Sequence, residues 1–461
     1  MPTDRRELAL GEDEAAELAA RLAFPEWRER DDALKVGIEA EFFPVLRDAA
    51  GRPAGRLPLH GAGGTLERLR AVAPRHGWRV VEGAVPRVEL PEGGRLTFEP
   101  GGQVELSSAV QPSIAAAVEQ LDRIGRALRA ALEPAGAVLA AVGVDPWHPL
   151  AAAPQQLDAP RYRAMHAYLE RRSPAGPVMM RHTASTQINL DLGPDGVRRE
   201  RWWLANLLSP LLTATFTSSP GEGVACARAG VWQRLDPTRT GFPATGPDEA
   251  PAAACARAAL DADVMLFWRP DGDAEPGEPG FSFRRWIREG HPRYGWPTAA
   301  DLEYHLTTLF FEVRVRGFLE LRAPDALPEP WWAVPVALVA ALMYDPEARG
   351  RALDELAPLG ADLHGAWARA ARAGLRDRQL GALAGRVWRL ALAALDRLPE
   401  AAVGGETRRR ARRFLERYTF RGEVPADELR PLLAESPAAS LAWASGGPSG
   451  RDDWGVTGWS A

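Results

Sequence analysis

Glu39 and Glu41, in GIEAEFF, are two acids spaced i and i+2 inside an otherwise apolar run. In extended backbone, residues two apart share a face at roughly 6.5–7 Å, so both carboxylates would point the same way. At pH 7 such a pair repels unless a cation lies between, and hard divalent ions such as Mg²⁺ take carboxylate oxygens. A solvated edge strand is the plainer alternative for one ExE taken alone. Other stretches carry comparable chemistry. FEPGGQVELS holds Glu99, Gln103 and Glu105, and LELRAPD sets Glu320 beside Arg322, carboxylate next to guanidinium. MMRHTASTQINLD alternates, with Thr183, Ser185, Gln187, Asn189 and Asp191 on one face and Ala184, Ile188 and Leu190 on the other. Gln and Asn flanked by hydroxyls suit hydrogen bonding to a small polar molecule in a cleft, where a solvated face would carry Lys and Glu. Arg228, in CARAGVWQRLDPTRTG, is either a fork for a substrate carboxylate or a surface arginine packed on Trp232.

Placing these groups needs strands over Leu34–Leu46, Arg95–Ala109 (strand, Gly–Gly turn, strand), Met179–Gly193 and much of Tyr304–Pro328. Helices are expected over 12–22 and from an N-cap at Ser113, where Ile114, Val118, Leu121, Leu128 and Leu132 form an inward stripe. RYRAMHAYLERR and WWLANLLSPLLTATFTSSP, the latter ending at Pro220, read as two more. DVMLFWRP reads as a strand, and the Gly/Pro-rich stretch 270–297 after it as a mobile flap, with an inert surface loop the commoner alternative for such composition. Beyond Pro330 the pattern turns helical through Arg417, with RRRARR (408–413) a solvated helix face in preference to an anion contact, and the Ser/Gly/Ala-rich tail after Ser436 reads as poorly ordered. His60–Gly64 precedes a helix but lacks the Lys and Ser/Thr of a phosphate loop. Lys35 is the only lysine in the chain, so any phosphate would be met by arginine, metal or backbone.

The 461 residues can bury a large core, and a net charge of −5 leaves no nucleic-acid footprint. Two cysteines, Cys226 and Cys255, imply no disulfide framework. The first twenty residues are charged throughout, unlike a secretory signal, and no apolar run reaches the ~18 residues of a membrane span. The expectation is a cytoplasmic protein, monomer or homodimer, engaging small molecules rather than nucleic acid or membrane.

Taken together, GIEAEFF, FEPGGQVELS, MMRHTASTQINLD, VWQRLDPTRTG and YHLTTLFFEVRVRGFLELRAPDA resemble the glutamate–cysteine ligase family, in the branch shared by plant-type and actinobacterial ergothioneine-pathway enzymes. Where that family carries LFPEVR this chain has LFFEVR, with Phe311 in place of the proline. The resemblance implies an α+β, glutamine-synthetase-like core over 1–345, a curved antiparallel sheet forming a funnel with helices packed outside. A helical C-terminal part over 346–436 and a disordered tail over 437–461 would follow. It also implies the reaction: ATP phosphorylates the γ-carboxylate of L-glutamate, and the amino group of L-cysteine displaces phosphate to give γ-glutamylcysteine, an early step toward ergothioneine or another small thiol. By motif, Glu39, Glu41, Glu105 and Glu320 would hold Mg²⁺, with Gln187 nearby and Glu99 a lesser candidate. Arg322, with Glu320, would serve the transferring phosphoryl group, Arg228 would grip the glutamate α-carboxylate, and Asn189 and Gln187 would line the substrate cleft. The residues agree with that chemistry, because metals and an arginine are the usual answer to the negative charge of phosphoryl transfer. No general base is visible; His182 and His305 lie near motifs, each with a structural alternative. A γ-glutamyl ligase with another amine acceptor, or a non-catalytic glutamate- or nucleotide-binding relative, are the alternatives.

Overall fold

Period-two alternation builds the central sheet. In the computed structural model, which describes residues 9–26, 34–245, 249–269 and 271–447, Val36–Arg47 (β1) buries Val36, Ile38 and Ala40 and turns Glu39 and Glu41 to the opposite face. Gly94–Phe98 (β2) and Val104–Ser108 (β3) form the expected hairpin. Its turn requires both glycines: Gly102 has φ +83°, and a Cβ on Gly101 would come within 2.5 Å of the Arg181 carbonyl oxygen. Thr186–Asp191 (β4), Val313–Val315 (β5) and Phe318–Leu321 (β6) complete the part of the sheet that carries polar residues. The order is β5-β6-β4-β1-β3-β2, continued by Arg87–Glu89 and Arg79–Val81, and its pairings are antiparallel. The far half of β1 pairs instead with Pro53–Arg56 and Ala137–Ala140.

The apolar face of this sheet, Leu96, Leu106, Ile188, Leu190, Leu319 and Leu321, is buried at 0–1% exposure. Behind it lies the helix Ile114–Leu132, capped by the Ser113 hydroxyl accepting from the Ala116 amide at 3.1 Å, and its five stripe residues all enter the core. Asp195–Thr215 and Val334–Tyr344 also pack on this side. The second of these is apolar on every face and buried from Val334 to Met343, as a helix enclosed on all sides must be. One apolar core runs unbroken from the strands into the helices Pro346–Leu356, Leu363–Ala373, Arg378–Arg397 and Gly405–Arg417, so residue 345 marks no gap in the packing. The architecture is α+β. RRRARR forms a solvated face, with Arg409, Arg410 and Arg412 paired to Glu406, Asp122 and Asp396. Among the described residues no helix is long and apolar enough to cross a membrane.

Element ends depart from the sequence reading. Met179–His182 close a helix, Ala175–His182, and the strand starts only at Thr186. The helix Asp195–Thr215 stops short of Pro220 because the Thr217 and Ser219 hydroxyls and the Ser218 amide donate to Asp325 instead, at 3.1, 2.6 and 2.9 Å. Likewise Tyr304–Leu306 ends a helix, Ala299–Leu306. The expected flap is a packed unit: a hairpin of Leu266–Trp268 with Ala274–Pro276 and the helix Phe283–Glu289 enclose Phe267, Phe281, Phe283, Trp286 and Tyr294. Its Gly/Pro content hid that aromatic core.

The DPTRTG turn is an anchor. Arg239, fully buried, donates to Asp236 Oδ2 at 2.8 Å, to the Thr308 carbonyl at 2.9 Å and to the Asp263 carbonyl, while the Tyr168 hydroxyl donates to the same Asp236 carboxylate at 2.8 Å.

The expectation of a disordered tail from 437 fails for its first part. Pro437–Ala444 is a helix, capped by Ser436, that seats Leu441 and Trp443 at 1% exposure in a cluster with Phe43 and Val45 of β1; residues 448–461 lie outside the described residues. Small residues there pack closely rather than leaving the chain loose. Trp443→Ala should therefore destabilise the protein by about 3–5 kcal/mol, read as a lowered urea midpoint. A loss below about 1 kcal/mol, the range of a surface change, would show that the helix does not dock.

Candidate active site

Register brings the singled-out residues to one face. Glu41 stands directly across from Glu105, Glu39 across from Gln187 and Ser107, and Glu320 across from Asn189. Cross-strand partners share a face, so acids far apart in sequence converge on one patch. Glu99, just past the end of β2, joins them: one carboxylate oxygen each from Glu41, Glu99 and Glu105 lies within 4.8 Å of the others. These acids line a cavity of about 210 Å³ together with Arg161, Arg228, Arg314 and Arg322. Glu39 and Arg95 also line an adjoining cavity of about 650 Å³, bordered by Lys35, Asn189, Asp191 and Arg198.

Each acid has a different set of supports. Glu41 accepts from the Ser185 amide at 2.7 Å and from Gln187 Nε2 at 3.0 Å. Glu105 Oε1 accepts from Thr97 at 2.8 Å and Ser107 at 3.1 Å. Asn189 Nδ2 donates to Glu39 at 3.3 Å, while its own Oδ1 is buried without a partner among the described residues. Glu320, fully buried, takes a bidentate grip from Arg314 at 2.7 and 2.8 Å and a further hydrogen bond from Arg322. Arg322 also donates to Gln187 Oε1 at 2.8 Å, and its guanidinium lies 5.5 Å from the Trp232 ring and 5.9 Å from Phe310. Gln187 thus links the two halves, giving its N–H to Glu41 and its oxygen to Arg322.

Protonation follows this division. Burial, with repulsion from Glu105 and Glu320, pushes Glu39 up to about 7. Burial raises Glu41 against the pull of Arg228 and Arg322; it raises Glu105 with help from Glu41, and lifts Glu99 well above its ordinary value, with Glu105 and Glu41 adding to it. Burial acts the same way on Glu320, but Arg314 and Arg322 outweigh it and hold that carboxyl below its ordinary value. The patch therefore has a cation-hungry side, at Glu39, Glu41, Glu99 and Glu105, and a side already balanced by arginine.

All residues expected at the site reach this region. Two take unexpected company: Glu320, expected beside Arg322, is also gripped by Arg314, and Glu99 sits within the acid trio. Arg228, 4% exposed, donates to the Arg322 and Ala323 carbonyls at 2.9 and 3.3 Å and lies at the cavity wall. The sequence reading gave no role to Arg314, although a turn centred on Gly317 (φ +76°) sets 314 across from 320. It also passed over Asp325, whose carboxylate gathers Thr217, Ser218 and Ser219 beneath Arg228, 3.7 Å away. His182 and His305 serve structure. The first faces Arg56 at 2.9 Å and the second the Ala259 carbonyl at 2.9 Å; burial pushes them down to about 4 and about 3. Both cysteines are free thiols.

The family model for glutamate–cysteine ligase family 2 (GCS2) matches residues 35–443. The glutamate–cysteine ligase EgtA of Mycolicibacterium smegmatis is 39% identical over 339 residues, 71% of this chain and 77% of that protein. That of Mycobacterium tuberculosis strain H37Rv is 36% identical over 362 residues, 76% of this chain and 80% of that one. The chloroplastic enzyme of Arabidopsis thaliana is 29% identical over 329 residues, covering 68% and 59%. A crystal structure of glutamate–cysteine ligase from Francisella tularensis in complex with AMP aligns over 90% of this chain and 88% of that one, at 12% identity and a TM-score of 0.46.

The raised carboxyl pKa values carry a signed prediction. A group at about 7 folded against about 4.3 unfolded makes the folded state bind more protons, so its contribution to stability falls as pH rises through that window. A divalent cation requires ionised ligands and relieves this penalty. The rise in melting temperature on adding Mg²⁺ in place of chelator should be about 1–2 °C larger at pH 8 than at pH 5.5, the difference that a linkage of about 1–2 kcal/mol gives in a chain of this length. Glu105→Gln should abolish most of the difference, and an equal rise at both pH values would contradict it.

Proposed function

Because the chain belongs to glutamate–cysteine ligase family 2, a family of ATP-dependent carbon–nitrogen ligases, we propose that it joins the γ-carboxyl of L-glutamate to the amino group of L-cysteine through a γ-glutamyl phosphate. The identity to EgtA proteins supports placing the reaction at the start of ergothioneine or related thiol biosynthesis, in the cytoplasm. The observation that carries the reading is the division of one buried patch into an acid cluster and an arginine cluster joined by Gln187.

The donor set fits a hard cation: the three converging groups are carboxylates to which, among the described residues, no guanidinium is hydrogen-bonded. Glu41, Glu99 and Glu105 would hold Mg²⁺, with Glu39 at the boundary between the two cavities. When bound, such an ion offsets charge on the phosphate oxygens and polarises the transferring group. Glu320 reaches a metal only if Arg314 moves off it; as arranged, it orients Arg322 and keeps it charged. Arg322, set against the Trp232 and Phe310 rings, which themselves pack edge to face, would present a fixed guanidinium to charge that develops on the phosphoryl group, which is worth most in a dry, preorganised site. Arg228 keeps N–H groups beyond those bound to backbone and would hold the glutamate α-carboxylate, with Asn189 and Gln187 lining the cleft. The larger cavity, about 650 Å³, lies within the size range of small-molecule sites and would take the nucleotide, its phosphates directed past Glu39 toward the acids. All these groups come from one chain, so a monomer could carry the reaction, as could a homodimer.

An assay of ADP release with ATP, Mg²⁺, L-glutamate and a panel of amines tests the reading. Cysteine should stimulate more than other amino acids. Glutamate-dependent ADP release with no preference for cysteine would assign a different acceptor, and no such release would leave a binding protein. Arg322→Lys keeps the charge but loses the planar fork, and should lower kcat about 10²–10³-fold with the melting temperature nearly unchanged. Unaltered turnover would remove Arg322 from the phosphoryl site.

A further inference from the structure

Glu312 is a buried carboxylate with no part in the chemistry above. It is 6% exposed, in FFEVR, with its amide donating to the Gly241 carbonyl at 2.8 Å and its carbonyl accepting from the Arg322 amide at 3.0 Å. Beside it, Phe310 lines the acidic cavity, Phe311 and Val313 line a separate cleft, and Arg314 lines both. The backbone bends at Glu312, and the Arg322 amide bonded to its carbonyl continues the Val313–Leu321 pairing, which sets Glu312 across from Arg322, a residue of the acidic cavity wall. Its carboxylate accepts no hydrogen bond among the described residues, and the charged groups acting on it are Arg228, from the helix Ala227–Gln233, and Arg322, just past the end of β6. Both guanidiniums flank the Trp232 ring, at 6.0 and 5.5 Å, so the four side chains form one corner.

A buried carboxylate without a donor is costly, and a native site that keeps one calls for an explanation. Burial outweighs the two arginines and pushes Glu312 up to about 7, so they leave it short of full compensation. An α-amino acid supplies what is lacking, because its ammonium is bonded to the carbon that bears its carboxylate. A corner holding a guanidinium and an uncompensated carboxylate matches that pair of charges.

We propose that Glu312 receives the α-ammonium of the amino acid whose α-carboxylate Arg228 holds, and so selects glutamate over dicarboxylic acids that lack an amino group. This rests on the ligase reading and on Arg228 as the carboxylate grip. The role is one of specificity, since the α-ammonium of glutamate takes no part in the bond that forms.

Calorimetric titration of L-glutamate and of glutarate, the same diacid without the ammonium, into the full chain with Mg²⁺ tests it. The wild-type protein should prefer L-glutamate at least about tenfold. Glu312→Gln should weaken L-glutamate about ten- to a hundredfold and leave glutarate within about twofold, erasing the preference. Glu312→Asp, which keeps the charge, should retain part of it and serves if the glutamine variant fails to fold. A preference that survives in Glu312→Gln, or equal weakening of both ligands, overturns the proposal. Failure of the ligase reading would show separately, as a wild-type chain that releases no ADP with glutamate.

Discussion

Carboxylates gathered on one buried sheet face repel one another and lose water, and the fold must answer both costs. The antiparallel register makes the gathering unavoidable, since Glu41 pairs with Glu105 and the Gly–Gly turn carries Glu99 back over them. Hydrogen bonds from Ser185, Gln187, Thr97 and Ser107 absorb part of the cost. What remains is a raised affinity for protons, a cost that a small hard cation would relieve. The apolar reverse of the same strands, locked against helices, holds the acids in place.

Charge on the other half of the patch is balanced internally. Glu320 organises Arg314 and Arg322, while Asp325 organises the turn that seats Arg228. The arginines are thereby kept charged and pointed at the cavity without metal. Gln187 touches both halves, so its amide orientation is fixed by its neighbours: the N–H faces the carboxylate of Glu41 and the oxygen faces Arg322. Burying an ion pair rarely adds stability by itself. A site that needs fixed donors at a developing charge is a better reason to keep such pairs.

Much of this was legible in the chain because strand period and motif spacing coincide. The i, i+2 acids, the Gly–Gly hairpin and the polar strand around Gln187 each fall on the face that alternation assigns. Less was legible where long-range pairing decides. Which acid meets which depends on strand order, so Glu99 looked peripheral although the turn folds it inward. Arg314 could have been found from the symmetry of the turn about Gly317. Helix ends were overrun where Thr and Ser side chains serve Asp325, a partner more than a hundred residues away. The helix Pro437–Ala444 was missed because its small residues resemble a loose tail, and only its docking against β1 gives Trp443 somewhere to go.

Crystals of the chain soaked in Mn²⁺ and measured at the manganese absorption edge would test the central claim most directly. An anomalous peak bounded by Glu41, Glu99 and Glu105 is the predicted result, with Arg322 still hydrogen-bonded to Gln187. A peak that excludes Glu99 and Glu105, or no peak within reach of Glu41, would contradict the account.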